Sequence, residues 1–97
     1  MVSVVIKPST NKAKKYMAIF TKDGKKIKTT HFGAAGMNDY TITGDKERRR
    51  LYLERHKNNE SWGDYMSAGS LSRFILWGDS KSIQANIKTF KNKFSLS

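Results

Sequence analysis

Acid–base or metal-assisted chemistry in this sequence would fall to His31 and His56, with Asp39, Asp45, Glu60 and Asp64 as the nearest carboxylates in sequence. A histidine acting with an aspartate and a metal ion is the equipment of a nuclease. His31, Asp39 and His56 are the set available here. The spacing does not favour it. No pair sits at a recognised ligand spacing, and neither HExxH nor a P-loop is present. Gly33, Gly36 and Gly44 do not follow a phosphate-cradling pattern. With no cysteine, a thiolate metal site, a disulfide and a Cys nucleophile are all excluded. No catalytic residue, metal or cofactor is assigned on these grounds, and the chain reads as a binding protein rather than an enzyme.

The chemistry the sequence does offer is cationic. Nineteen Lys and Arg stand against eight Asp and Glu, a net charge of +11 over 97 residues. Such an excess repels itself in a folded chain and favours a polyanionic partner, whose counterions it would release. The first thirty residues hold eight lysines and one acid, Asp23. Lys12, Lys14 and Lys15 fall in an expected loop; Lys22, Lys25, Lys26 and Lys28 surround an expected hairpin tip. A two-stranded ribbon with a basic tip can enter a DNA groove or lie along a backbone. The same lysines would also guard a sheet edge against aggregation. A second cluster comprises Lys46, Arg48, Arg49, Arg50, Arg55, His56 and Lys57, with Tyr52 among them, placed to stack on a base or to anchor its helix.

The elements that must position these groups follow from periodicity. Val2–Lys7 is a β-branched run ended by Pro8, and Ser9–Lys15 reads as a polar loop. Tyr16–Thr21 alternates as a strand, Asp23-Gly24 marks a hairpin turn, and Lys25–Phe32 returns. Gly33–Gly44 reads as irregular. Asp45 is placed to cap a helix to about Lys57, and Asn58–Asp64 breaks it. Ser67 is placed to cap a second helix ending at Gly78, and Ser80 a third carrying Ile83, Ile87, Phe90 and Phe94. The Arg-rich helix lacks an apolar stripe, so other elements must clasp it or a partner must complete it. Leu71, Phe74, Ile75, Leu76 and Trp77 read as core; Arg73 among them needs a carboxylate or a phosphate. Trp62, on a polar loop, is a core-edge residue or a stacking platform. The expectation is an α+β fold: a small N-terminal antiparallel sheet (a hairpin plus one strand) packed with three C-terminal helices. It forms a single domain over 1–97, with a basic β-rich part at 1–33 and a helical part at 45–94. Apolar runs such as Phe74–Trp77 are far too short to span a bilayer, so no membrane partner is expected.

Three blocks carry a family resemblance: KTTHFGAAGMNDYT from Lys28, ERRRLYLERHKNNESW from Glu47, and SAGSLSRFILWG from Ser67. Together they resemble a family of small basic proteins, without an assigned activity, encoded by large DNA viruses of algae and amoebae. The resemblance covers about Lys28 to Phe94 and leaves the first strand and basic loop outside; Phe74 stands where the pattern has Trp. It implies a viral protein working in the host cell interior (virus factory, nucleus or cytoplasm) and carried in the virion interior if packaged. It also marks His31, Asp39, Tyr40, Arg55 and His56 as positions of constraint, most simply as a polar network fixing the hairpin to the arginine helix.

Three readings follow, in order. The first is a nucleic-acid-binding accessory protein acting on phosphates with little sequence specificity, with DNA favoured over RNA. Its footprint is Lys12, Lys14, Lys15, Lys22, Lys25, Lys26 and Lys28 on one side, and Arg48, Arg49, Arg50, Tyr52, Arg55 and Lys57 on the other. The second is a virion structural component binding viral proteins. The third is a metal-dependent nuclease using His31, Asp39 and His56. Oligomeric state is not legible.

Overall fold

Alternating apolar residues create one buried and one open face on a three-stranded sheet. The computed structural model describes residues 1–58 and 62–97. Strands β1 (Val2–Pro8), β2 (Lys14–Lys22) and β3 (Lys25–Ala34) form an antiparallel meander in the order β1-β2-β3. Val4 pairs with Phe20, and Tyr16 with Phe32, so that Val4, Ala18, Phe20 and Phe32 are buried on one face. The β2–β3 turn is made by Asp23 and Gly24, both at positive φ (52° and 77°), the conformation a tight hairpin needs. A bulge beside Phe20 and Thr21 leaves Ile27 without a register partner and about half exposed.

Helical segments follow the sheet, and those after residue 67 cover its buried face, giving an α+β fold. The segments are α1 (Tyr40–Thr43), α2 (Lys46–His56), α3 (Ala68–Leu71), which runs into a π-helical turn at Ser72–Leu76, and α4 (Ile83–Lys93). Leu71, Ile75, Leu76 and Phe90 meet Phe20 and Phe32 in one hydrophobic cluster, with Leu96 at its edge. The chain beyond α4 returns to the sheet: Ser97 N–H donates to the Val2 carbonyl, and Val4 N–H donates to the Ser97 carbonyl. That contact satisfies part of the free edge of β1.

Three sequence expectations need correction. The stretch Gly33–Gly44 is not all irregular: β3 runs to Ala34, and Asp39 caps the short α1, so the described helices number four rather than three. Lys14 and Lys15 belong to β2, not to the preceding loop. The cap of α4 is Ser82, whose hydroxyl accepts from Ala85 N–H, while Ser80 accepts from Ser82 N–H one step earlier. The capping of α2 by Asp45 and of α3 by Ser67 is as expected.

The π turn ends where Trp77 N–H reaches back five residues to the Ser72 carbonyl. Gly78 follows because nothing larger fits: a Cβ there would lie 2.4 Å from the Phe74 carbonyl oxygen. Buried Asn86 locks this turn from α4. Its Nδ2 donates to the Ile75 and Ser80 carbonyls (2.9 and 2.7 Å), and its Oδ1 accepts from Ser80 N–H. Asn86→Ala would strand these backbone groups away from water, and should lower unfolding free energy by about 2–4 kcal/mol in urea titration.

Candidate functional site

Helix α2 has no buried residue and no apolar face, so polar and aromatic contacts must hold it. Arg49, alone among its arginines, turns inward. Its Nε donates to the Trp77 and Gly78 carbonyls (3.2 and 2.9 Å), one terminal nitrogen donates to Asp79 (2.7 Å), and the guanidinium lies over the Tyr40 ring. Tyr52, one turn on, stacks flat against Trp77 at 4.3 Å and also contacts the His56 ring at 4.3 Å. The helix is therefore clasped between other elements, with Tyr52 as its anchor.

The clasp leaves a groove of about 420 Å³. One wall is the sheet end, where Lys14 and Lys15 of β2 face Gly33 and Ala34 of β3. The opposite wall is Tyr52, Arg55 and His56 of α2, and the floor includes Ser72, Leu76 and Trp77. Gly33 is required at the sheet end: it sits at φ 79°, and a Cβ would come within 2.7 Å of Leu76 Cδ1. Met37, Asn38, Tyr52, Arg55 and Trp77 also line an adjoining depression of about 400 Å³ that Arg48 and Leu51 border. Sequence reasoning found Tyr52, Arg55 and His56 but missed Met37, Asn38, Ser72 and the part Trp77 plays; the closely spaced Gly33 and Gly36 were the available signal.

The cations predicted to bind divide into engaged and available groups. Lys15 forms a 2.5 Å ion pair with Asp39, which is only 2% exposed. The other Asp39 oxygen accepts from Thr41 N–H and from the Thr41 hydroxyl. Arg49 is engaged as described. Arg50 bridges Glu47 and Glu54 on its own helix; its hydrogen bond to Glu47 raises the guanidinium pKa and lowers that of the Glu47 carboxyl. Arg48 stands 4.0 Å from Asp45 and is exposed. Lys12, Lys14, Lys22, Lys25, Lys26, Lys28, Arg55 and Lys57 are exposed and have no ion pair among the described residues. Lys15, Arg49 and Arg50 therefore serve the fold rather than offering free charge. The available cations form two groups at opposite ends of β2, whose eight residue steps from Lys14 to Lys22 span roughly 26 Å.

The expected polar network does not assemble as one unit. His31 lies on the open face of the sheet, paired in register with Met17, with Nδ1 2.7 Å from the Ser9 hydroxyl. Asp39 bonds to Lys15 and Thr41, Tyr40 is buried beneath Arg49, and His56 lies against Tyr52. His31, Asp39 and His56 do not form a group able to hold a metal ion, and Glu60 lies outside the described residues. Arg73 has no ion pair among the described residues: it donates to the Trp77 carbonyl and covers the rings of Trp62 and Phe74. Burial, with Arg49 nearby, pushes its pKa down. One face of Trp62 is thereby occupied.

The family model described as "Family of unknown function (DUF5754)" matches residues 4–56, more than half of the chain, and the chain belongs to that family. The match takes in the first strand and the basic loop, which the sequence resemblance had left outside. No curated protein and no solved structure matches the chain.

The division of the arginines predicts opposite outcomes within one helix. Arg49→Gln should cost about 2 kcal/mol and lower Tm by roughly 10 °C, whereas Arg55→Gln should change stability by less than about 0.5 kcal/mol in the same calorimetric comparison.

Proposed function

We propose that this protein binds nucleic acid through the phosphate backbone, with little sequence specificity, as an accessory factor of a large DNA virus acting in genome compaction, replication or transcription. One observation carries the reading: of the cations without an ion pair among the described residues, Lys22, Lys25, Lys26 and Lys28 cluster about the hairpin tip and Lys14 and Arg55 line the groove, while Lys7, Lys46, Lys81, Lys88, Lys91 and Lys93 are likewise unpaired outside these two groups. Charge placed only for solubility would be spread over the surface and interspersed with acids. Unbalanced clusters instead attract a polyanion, and each phosphate neutralised releases counterions. Two clusters roughly 26 Å apart suit an extended ligand rather than a small anion. DNA is the favoured polymer.

A second reading, a structural component that contacts other viral proteins, draws support from the open face of the sheet. Val5 is 54% exposed and Ile27 47% exposed, with Met17 and Ile19 partly covered between them. No helix among the described residues is long and apolar enough to cross a membrane.

Fluorescence anisotropy of a labelled DNA duplex over a salt series tests the first reading. Affinity should fall about a hundredfold from 50 to 200 mM salt for roughly four phosphate contacts. Lys25→Gln/Lys26→Gln and Arg48→Gln/Arg55→Gln should each flatten the salt slope by about two. Absence of binding at low salt would exclude it and direct the search to protein partners.

A further inference from the structure

The two cationic ends differ in shape. The hairpin lysines surround an exposed two-residue turn, suited to lying against a phosphate backbone. The other end is concave: the groove and the adjoining depression, about 420 and 400 Å³, share Tyr52, Arg55 and Trp77 along their boundary. A duplex presents phosphates outside and keeps its bases stacked within, so a recess lined by aromatic rings gains little from it. An unpaired nucleotide presents both a π-face and a phosphate.

Arg55 supports the distinction from within its own helix. Arg49 and Arg50 are held by carboxylates and backbone carbonyls, while Arg55 borders both recesses with no ion pair among the described residues. Lys14 stands across the groove from it, on the sheet wall. Beside Arg55 the Tyr52–Trp77 stack is already flat and parallel, with 4° between ring planes. Its geometry is that of successive bases in a single strand. The rings are fixed before any ligand arrives, by the Arg49 clamp on one side and the π turn on the other, so little side-chain entropy is lost when a base joins them.

We infer, resting on the nucleic-acid reading above, that this groove takes a single-stranded segment. One unpaired base extends the aromatic stack at Trp77, and Arg55 and Lys14 hold the flanking phosphates. The hairpin lysines act on neighbouring backbone without regard to strandedness.

The test uses the full chain carrying Trp62→Phe, so that Trp77 is the sole indole. Trp62 accepts its hydrogen bond from Ser70 through the backbone carbonyl, which the substitution keeps. Oligo(dU), oligo(U) and a duplex, each of about 12 nucleotides, are titrated at one fixed salt concentration. A single strand should quench Trp77 emission and bind about tenfold more tightly than the duplex. Arg55→Gln should lower single-strand affinity several-fold more than duplex affinity, removing most of that preference. Preference between the two single strands identifies the sugar, and either upholds the inference. Duplex binding equal to or tighter than single-strand binding, or single-strand binding without quenching and without dependence on Arg55, would overturn it while leaving backbone binding standing. No binding of any of the three removes both.

Discussion

The Asp39 carboxylate, almost wholly removed from water, is the constraint on which the remaining structure hangs. A buried carboxylate is tolerated only with a full set of donors. Here the donors come from β2, through Lys15, and from the first turn of α1, through Thr41. The pairing fixes where the chain goes after β3. Tyr40 follows directly and provides the ring under Arg49, and Arg49 ties α2 to the Trp77–Asp79 turn. Truncating either partner of such a pair costs about 3–5 kcal/mol, since the other is left buried and uncompensated. In this fold the loss would be transmitted to α2, which has no apolar face to hold it once Arg49 loses its seat.

That dependence explains how the arginine helix is held in place although none of its residues is buried. An amphipathic helix is held by burying its stripe, and α4 is of that kind, with Phe90 in the core and Ile83, Ile87 and Phe94 packed around it. Helix α2 is held by one inward arginine and one stacked tyrosine. Its remaining faces are then free to carry charge, and Arg48, Arg55 and Lys57 stay exposed. A core helix could not carry that density of cations, because each would have to be desolvated.

The sheet and its sidedness were legible because a period of two is short and strict. Tyr16, Ala18 and Phe20 alternate with Met17 and Ile19, and Asp23-Gly24 admits few alternatives to a tight turn. The caps at Asp45 and Ser67 were legible for a similar reason, each being a single side chain acting over two or three residues. Helix α1 was not, since four residues are too few to show a helical period. The π turn was not, because the one-residue slip that directs Trp77 toward Tyr52 leaves no mark on composition. The candidate site was half legible. A run of arginines announces charge, but their division into clamp, intrahelical bridge and free cation depends on carboxylates and carbonyls up to thirty positions away, such as Asp79 for Arg49. Lys15 illustrates the same limit: it looks like its loop neighbours until Asp39, 24 residues on, is brought beneath it.

The engaged cations and the free ones bear differently on stability. Lys15, Arg49 and Arg50 are neutralised in place, so they add little to the long-range repulsion that a net charge of +11 creates. The unbalanced positive potential comes from the cations without an ion pair among the described residues, those of the hairpin tip and the groove rim among them, and the chain carries its electrostatic cost there in the folded state. A ligand that binds only the folded chain stabilises it by mass action, and a polyanion would also screen that repulsion. Stability and ligand occupancy are thereby coupled in a core that is small, with three phenylalanines supplying its largest fully buried side chains. The coupling has a direction: charge removed at the two free clusters relaxes the unliganded fold while weakening the complex, whereas charge removed at Lys15 or Arg49 dismantles the scaffold that holds those clusters in place.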